Sequence, residues 1–144
     1  MPNSIDSHVI LGFDFGMKRI GIAIGDTLSL SAKPLTTINA RDGIPNWGAI
    51  EQLIKEWNID TLIVGMPYQL DGSNQEITLS AKKFSNRLRE KFRLPVFTID
   101  ERMTTKVAKL EMKSKNATMY GIDSIAASLI LQAWLYEYQI NKQG

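Results

Sequence analysis

The chain has 144 residues, of which 44% are hydrophobic and 22% are charged, and its 17 basic and 15 acidic side chains leave a net charge of +2 at pH 7. The complete absence of cysteine excludes a disulfide scaffold, a thiolate metal site and a cysteine nucleophile. This size and composition are typical of one globular domain with its own core, and we expect a single domain over residues 1–144. The near-neutral charge balance does not by itself indicate a nucleic-acid partner.

The N-terminal segment "MPNSIDSHVILGF" lacks the basic stretch and the long apolar core of a signal peptide. No run of the sequence approaches the roughly 18 apolar residues of a membrane-spanning helix. We therefore expect a cytoplasmic protein that has no membrane contact, and the lack of cysteine agrees with a reducing compartment.

The first third of the chain predicts three strands joined by short connections. Val9–Phe15 is an apolar run, and Arg19–Gly25 follows it after a tight return. Ala32–Ile38 is the third predicted strand, and it has Pro34 near its start, where a proline is tolerated. Three consecutive strands with short links indicate an antiparallel meander.

Helices and strands alternate in the rest of the chain. The predicted elements are a helix with apolar residues at helical spacing from Trp47 to Trp57, a strand over Thr61–Gly65, a helix over Gln75–Phe92, a strand over Pro95–Ile99, a helix over Thr104–Met112 and a final helix over Ile122–Tyr138. Because each of the last two strands is reached through a helix, it is expected to run parallel to the strand before it. The order β-β-β-α-β-α-β-α-α predicts an α/β fold with a mixed five-stranded sheet and helices on both faces.

Four acidic residues fall at the ends of these predicted elements. Asp14 lies near the end of the first strand, Asp100 and Glu101 directly follow the last strand, and Asp123 begins the final helix. Ligands of open α/β sheets gather at the carboxyl ends of the strands, and a divalent cation relieves the repulsion between crowded carboxylates. Oxygen ligands without His or Cys favour Mg²⁺ or Mn²⁺. Such a site suits phosphodiester hydrolysis.

Each of these features also has a purely structural interpretation. Asp123 is a candidate helix N-cap, and Asp100 is a candidate turn residue. Asp14 is the hardest to explain in this way, because it interrupts an apolar run. The basic clusters at residues 82–93 and 106–115 are typical of solvated helix faces.

Four motifs carry a resemblance to a known family. "FDFGMKRIGIAIGD", "IVGMPYQLDGS", "DERMTT" and "DSIAA" occur in this order, and the chain resembles the YqgF/RuvX-type proteins from about Val9 to Tyr138. That family is described as Holliday junction resolvases and pre-16S rRNA processing nucleases. The resemblance implies a ribonuclease-H-like fold, which agrees with the predicted order of elements.

The same resemblance implies roles for individual residues. Asp14, Glu101 and Asp123 match the acidic triad of the fold, which implies that they are catalytic and bind Mg²⁺, with Mn²⁺ as an alternative. Asp100 is expected to support Glu101. The residues expected to contact nucleic acid are Lys18, Arg19, Arg102, Thr104, Lys113 and Lys115.

One segment departs from the family pattern. Many members carry lysines just before the final aspartate, whereas here "NATMYGIDS" has no basic residue. Lys113 and Lys115 lie further back, in a stretch without apolar period that we expect to close on a phosphate backbone. Fewer phosphate contacts would lower both the affinity for nucleic acid and its salt dependence.

Several functions remain open at this point. A nuclease acting on the 5′ end of structured precursor 16S rRNA is the first, and a resolvase of branched four-way DNA junctions is the second. A resolvase is usually a symmetric dimer, because two matched cuts are needed, and we expect a monomer or a weak homodimer. "DFGMKRIGIAIGD" also resembles the phosphate hairpin of actin-like ATPases, although the chain is too short for their two domains. A non-catalytic nucleic-acid binder is the last alternative.

Overall fold

The fold is a mixed β-sheet with helices on both faces. The computed structural model of the protein describes residues 7–67, 76–101 and 121–143. The strands are β1 (Val9–Asp14), β2 (Arg19–Asp26), β3 (Ser31–Arg41), β4 (Ile44–Pro45), β5 (Thr61–Met66) and β6 (Val96–Asp100), and the helices are α1 (Trp47–Trp57), α2 (Glu76–Phe92) and α3 (Ile122–Gln143).

The order of strands across the sheet is β4-β3-β2-β1-β5-β6. Strands β1 to β4 form the antiparallel part. Strand β5 is parallel to β1, and β6 is parallel to β5, which confirms the directions expected from the helical crossovers. The three strands β1, β5 and β6 lie side by side, and β6 forms an edge of the sheet.

The expected count of five strands was wrong, because the sheet has a sixth, β4. This strand is only two residues long, too short to show any hydrophobic period. Its signal was the Asp42-Gly43 pair, since both residues have positive φ, 52° and 81°, as the central residues of a type I′ hairpin turn require. The missed Asp-Gly signal is why the third strand was also expected to end at Ile38, whereas β3 continues to Arg41.

Alternating side chains of the strands build a core on each face of the sheet. Phe13 points toward α1 and α2, where its ring meets that of Phe84 edge-on at a centroid distance of 5.5 Å. Ile10 and Ile63 point the other way and pack with Leu131 of α3. All six residues of β5 are buried, as expected for a strand covered on both faces.

The remaining boundaries lie close to the predicted ones. Helix α1 begins after Asn46, whose side chain accepts a hydrogen bond from the Gly48 N–H at 2.9 Å, an N-cap contact that satisfies a free backbone donor. Helix α3 continues past Tyr138 to Gln143. The helix expected over Thr104–Met112 lies outside the described residues, and the single domain over residues 1–144 stays a prediction. Among the described helices, none has the combination of length and hydrophobicity that crossing a membrane requires.

Candidate nuclease site

One lateral row of residues crosses five strands at the candidate site. Asp14 of β1 lies opposite Gly21 of β2 on one side and opposite Gly65 of β5 on the other. The row continues to Thr37 of β3 and to Ile99 of β6. Directly paired residues point to the same face, and Ile99 belongs to the core beneath α3. Asp14 therefore faces α3 with a glycine on each side.

These two glycines allow other acidic residues to approach Asp14. A Cβ on Gly21 would lie 1.9 Å from the Asp123 carbonyl oxygen, so the start of α3 rests directly on the backbone of β2. A Cβ on Gly65 would lie 3.0 Å from Glu101 Cγ and 3.1 Å from Glu101 Oε1. The sheet thus brings Asp123 over the strand on one side of Asp14 and Glu101 over the strand on the other.

Arg19 forms an ion pair with Asp123. Its Nε donates a hydrogen bond to Asp123 Oδ2 at 3.0 Å, and the two side chains are 61% and 33% exposed. Arg19 is the first residue of β2, and it follows a return held by backbone bonds from the Ala40 N–H to the Lys18 carbonyl and from the Gly43 N–H to the Met17 carbonyl. The hairpin β3–β4 therefore fixes the backbone that carries Arg19.

Asp123 does not act as a helix cap. Helix α3 begins at Ile122, so Gly121, with φ of 86°, occupies the position before it. Asp123 lies inside the first turn, where a negative charge is favoured by the helix dipole. Its carboxylate is held by Arg19 across 104 residues of sequence, which a capping role does not explain.

Within the described part of the chain, Glu101 carries a buried carboxylate oxygen that lacks a hydrogen-bond partner. This atom is Oε1, the oxygen that lies above Gly65. A buried acceptor left unpaired costs free energy, and a cation is the ligand that satisfies such an oxygen. The carboxylate oxygens of Asp14 and Glu101 are therefore suitable ligands for Mg²⁺ or Mn²⁺.

The three predicted carboxylates do not yet form one ligating group. Within residues 7–67, 76–101 and 121–143, no three acidic, histidine or cysteine side chains are close enough to hold a metal ion. The carboxylate of Asp123 is instead paired with Arg19. The triad of Asp14, Glu101 and Asp123 stays a prediction.

The sheet separates the adjacent acidic residues Asp100 and Glu101. Asp100 is the last residue of β6 and pairs with Met66, which belongs to the core on the α2 side. Asp100 therefore lies at a register position on the opposite face from Asp14. Of these two acidic residues, it is Glu101, beyond the end of the strand, that reaches the space above Gly65.

The residues predicted to contact nucleic acid fall into two groups. Lys18 and Arg19 are exposed at the return between β1 and β2, and Arg19 is engaged with Asp123. The other predicted contacts lie outside the described residues: Arg102, Thr104, Lys113 and Lys115. The segment 68–75 of the second motif lies outside them as well.

Thr37 is a site neighbour that the sequence did not reveal. Its Oγ1 is buried and, among the described residues, is one of two such side-chain atoms without a hydrogen-bond partner, the other being Glu101 Oε1. Thr37 belongs to the row of Asp14, opposite Gly21, and Glu101 Oε1 lies above Gly65 of the same row. Threonine is common on the half-buried surface of strands, so no local sequence pattern indicated that Thr37 lies at the site.

Comparison with known proteins places the chain in a family. The family described as "RuvX: Holliday junction resolvase" matches residues 8–137. A protein of Coxiella burnetii (strain Dugway 5J108-111), provisionally named a pre-16S rRNA nuclease, is 45% identical over 95% of this chain and 97% of its own length. A protein of Saccharophagus degradans with the same provisional name is 49% identical over 89% of this chain and 93% of its own.

Solved structures share the fold at low sequence identity. RuvC of Thermus thermophilus in complex with a Holliday junction substrate matches with a TM-score of 0.59 and 11% identity, over 92% of this chain and 96% of RuvC. The Fowlpox virus resolvase bound to Holliday junction DNA matches with a TM-score of 0.54 and 13% identity, over 90% and 98%. These likenesses confirm the ribonuclease-H-like architecture expected from the sequence. Together with the match over residues 8–137, they show that the chain belongs to the RuvX family, a family of nucleases.

Proposed function

We propose that this protein is a divalent-metal-dependent nuclease that hydrolyses phosphodiester bonds at the 5′ end of precursor 16S rRNA, and that it acts in the cytoplasm. The provisional names of relatives at 45% and 49% identity support the substrate. The proposed action on rRNA is compatible with a monomer or a weak homodimer, because a single cut needs no two-fold partner.

The observation that carries the proposal is the position of Asp14 between two glycines. Gly21 and Gly65 leave the face above Asp14 free of neighbouring Cβ atoms, while Glu101 and Asp123 approach from either side. A strand end holds a ligand more rigidly than a loop does. The acidic residues that the reaction needs are thus held by elements of the sheet and by the start of α3.

The chain's own residues account for substrate binding and for orientation. Lys18 and Arg19 are exposed cations at the return between β1 and β2, where they attract a phosphate backbone toward Asp14 and its acidic neighbours. A phosphate that pairs with Arg19 also releases Asp123 from its ion pair at 3.0 Å. Substrate arrival and the availability of the third carboxylate are therefore coupled in this proposal.

Asp14 and Glu101 would hold the divalent ion, and Asp123 would join them once Arg19 has moved away. The ion supplies an activated water and stabilises the charge that develops on the leaving oxygen. Glu101 Oε1 is the oxygen best suited to this role, because it is buried and has no hydrogen-bond partner among the described residues.

A junction-resolving activity is the second candidate, favoured by the description of the family as a Holliday junction resolvase. It requires two active sites that are related by the two-fold symmetry of the junction. A dimer whose sites cut paired strands would support it, whereas a strict monomer would favour the rRNA substrate.

The decisive experiment offers two substrates to the purified protein under three ionic conditions. An end-labelled precursor 16S rRNA 5′ leader and a synthetic four-way DNA junction are each incubated with Mg²⁺, with Mn²⁺ or with EDTA. We expect the leader to be cut in Mg²⁺ and Mn²⁺ and to stay intact in EDTA. Preferential cutting of the junction would replace the first function by the second.

Asp14→Asn is the matched test of the site, because an amide oxygen is a weaker metal ligand than a carboxylate. We expect it to abolish cleavage and to leave RNA binding nearly intact, since binding depends on basic side chains. Asp26→Asn makes the same chemical change at the opposite end of the sheet, where Asp26 pairs with Val9, and should cleave normally. Wild-type cleavage by Asp14→Asn would remove Asp14 from the catalytic assignment.

Binding without turnover in every condition would instead identify a non-catalytic nucleic-acid binder. Tight ATP binding would point to the ATPase-like alternative. Both measurements use the same purified protein.

A further inference from the structure

A polar groove runs along the outer edge of the sheet, on the face opposite to α3. It encloses about 230 Å³ between α2 and the edge strand β6 and is lined by Met66, Lys82, Ser85, Asn86, Arg89 and Thr98. Since a water molecule occupies about 30 Å³ in the liquid, the groove has room for a phosphate group together with several waters. Its polar lining comes mainly from α2.

Arg89 is held in place in this groove by two hydrogen bonds. Its Nη2 donates to the Val96 carbonyl at 2.9 Å, and its Nη1 donates to Asn86 Oδ1 at 2.8 Å. A guanidinium carries five N–H donors, so three remain for a ligand. Because its orientation is already fixed, Arg89 loses little conformational freedom on binding a phosphate bidentately.

Lys82 and Arg89 also lack acidic partners in the described part of the chain. The ion pairs found there join His8 to Asp60, Arg19 to Asp123 and Lys55 to Glu51. Helix α2 carries five basic and two acidic side chains, a net charge of +3, whereas the whole chain carries +2. Helix α2 is thus a basic element in a chain that is nearly neutral as a whole.

The basic residues of α2 divide between two faces of the helix. At 100° per residue, Lys82, Asn86 and Arg89 fall within about 60° of one another and line the groove. Lys83 and Arg87 lie about 100° further round and do not line it. This division provides a control of equal charge within one helix.

The groove lies on the opposite face of the sheet from the candidate nuclease site, and the carboxyl end of β6 connects the two. Thr98 precedes Asp100 by two residues of β6, roughly 7 Å along the strand, and Glu101 follows directly. We infer that this groove binds the phosphodiester backbone of the substrate strand beyond the cleavage site, with Lys82 and the anchored Arg89 as the phosphate-contacting residues. The inference rests on the proposed nuclease function for the identity of the polyanion.

The test compares two double variants in binding assays that contain EDTA, so that cleavage is not required. Lys82→Gln/Arg89→Gln removes the groove charges, and Lys83→Gln/Arg87→Gln removes the same charge from the adjacent face. Each lost phosphate contact makes the plot of log affinity against log salt shallower by about 0.7–0.9. For a single-stranded RNA leader we expect the groove variant to lose one to two units of slope and the control variant to lose little.

Equal losses in the two variants, or no loss in either, would overturn the groove assignment, as would a wild-type protein that binds no nucleic acid. If the groove variant lost salt dependence in binding an acidic peptide but not in binding RNA, the groove would be assigned to a protein partner instead. Lys82→Gln alone keeps the test valid if Arg89→Gln disturbs folding, since Lys82 has no hydrogen-bonding role among the described residues. The single variant should lose about one unit.

Crosslinking gives an independent readout, because the chain contains no cysteine. Asn86→Cys places one thiol in the groove, and Lys83→Cys places one on the control face. With a leader RNA that carries a thiol tether on its backbone, we expect disulfide capture by Asn86→Cys only. Cleavage of the leader is measured separately, so a protein that binds in the groove but cuts nothing would contradict the proposed function and leave the groove intact.

Discussion

Arg19 Nε lies 3.0 Å from Asp123 Oδ2, so a cation of the chain itself occupies a carboxylate that the proposed chemistry requires. The contact joins the start of β2 to the first turn of α3 beside the close approach of Gly21. A carboxylate oxygen that accepts from Arg19 is less available to a metal ion. The two cations are therefore expected to compete for Asp123.

We predict that Arg19→Gln binds Mn²⁺ more tightly than the wild type does in the absence of substrate. An exposed ion pair is worth up to about 1 kcal/mol, which corresponds to at most about a fivefold gain in affinity. Titration calorimetry measures it, and Lys18→Gln, which removes an equal charge one residue away, should produce a smaller change. An unchanged or weaker affinity in Arg19→Gln would show that the two cations do not compete.

Gly21→Ala should destabilise the protein by displacing α3. The new Cβ would lie 1.9 Å from the Asp123 carbonyl oxygen and 2.8 Å from the Ser124 nitrogen, and backbone cannot swing aside as a side chain can. Overpacking of this kind costs about 1–3 kcal/mol. Urea unfolding measures the loss.

The control for that substitution is Gly48→Ala, in α1. Its Cβ would meet only Asn46 Oδ1, at 3.2 Å, and alanine is the better helix former by about 1 kcal/mol. Stability should stay within about 1 kcal/mol of the wild type. If Gly21→Ala behaves like Gly48→Ala, the close contact of α3 with β2 is not what holds Asp123.

Gly65→Ala should impair catalysis more than folding. Its Cβ would lie 2.6 Å from Ile130 Cδ1 and 3.1 Å from Glu101 Oε1, and both of these atoms are at the ends of side chains that can move. Movement of these side chains limits the loss of stability to about 1–3 kcal/mol, but it displaces Glu101 from the space above Gly65, beside Asp14. Single-turnover cleavage alongside thermal melts separates the two effects, and wild-type cleavage rates in a stably folded Gly65→Ala would show that Glu101 does not need this position.

Protonation of Asp26 should lower the stability of the protein at acidic pH. The Ser29 N–H donates to Asp26 Oδ1 at 2.7 Å and is the main cause that lowers the pKa of Asp26 below 3.8, against the opposing effect of burial. A carboxyl group whose pKa is lower in the folded state than in the unfolded state stabilises the fold at pH values above its unfolded-state pKa. This contribution is lost as the pH falls through the folded-state pKa. Asp26→Asn should therefore be less stable at pH 7, and its deficit should shrink below about pH 3.8.

Urea unfolding from pH 7 down to the lowest pH at which the protein stays folded measures this effect. Ser29→Ala keeps the backbone N–H and should retain most of the pH dependence, because the hydroxyl bond at 2.9 Å is a smaller cause. A deficit of Asp26→Asn that is constant over the whole range would contradict the assignment.

Local patterns in the sequence were sufficient for the order and type of every described element except β4. The apolar run over Thr61–Gly65 predicted a strand where β5 lies, and helical spacing from Trp47 to Trp57 predicted α1 with the bounds that the structure has. These signals depend on neighbouring residues alone, because a period of 2 or 3.6 is set by the backbone geometry of one element. The four motifs added the family and its acidic residues by resemblance.

The tertiary structure decided which of those residues meet. The pairing of Arg19 with Asp123 spans 104 residues, and the placement of Glu101 above Gly65 depends on the register of β5 against β6. No local pattern encodes such contacts, because they arise only when strand register and helix docking are fixed by the packing of both cores. The sequence by itself determined that Asp14 lies near the end of a buried strand. Only the packed sheet determined that glycines flank it, that Asp100 faces away from it, and that an arginine of the same chain holds one of its acidic neighbours.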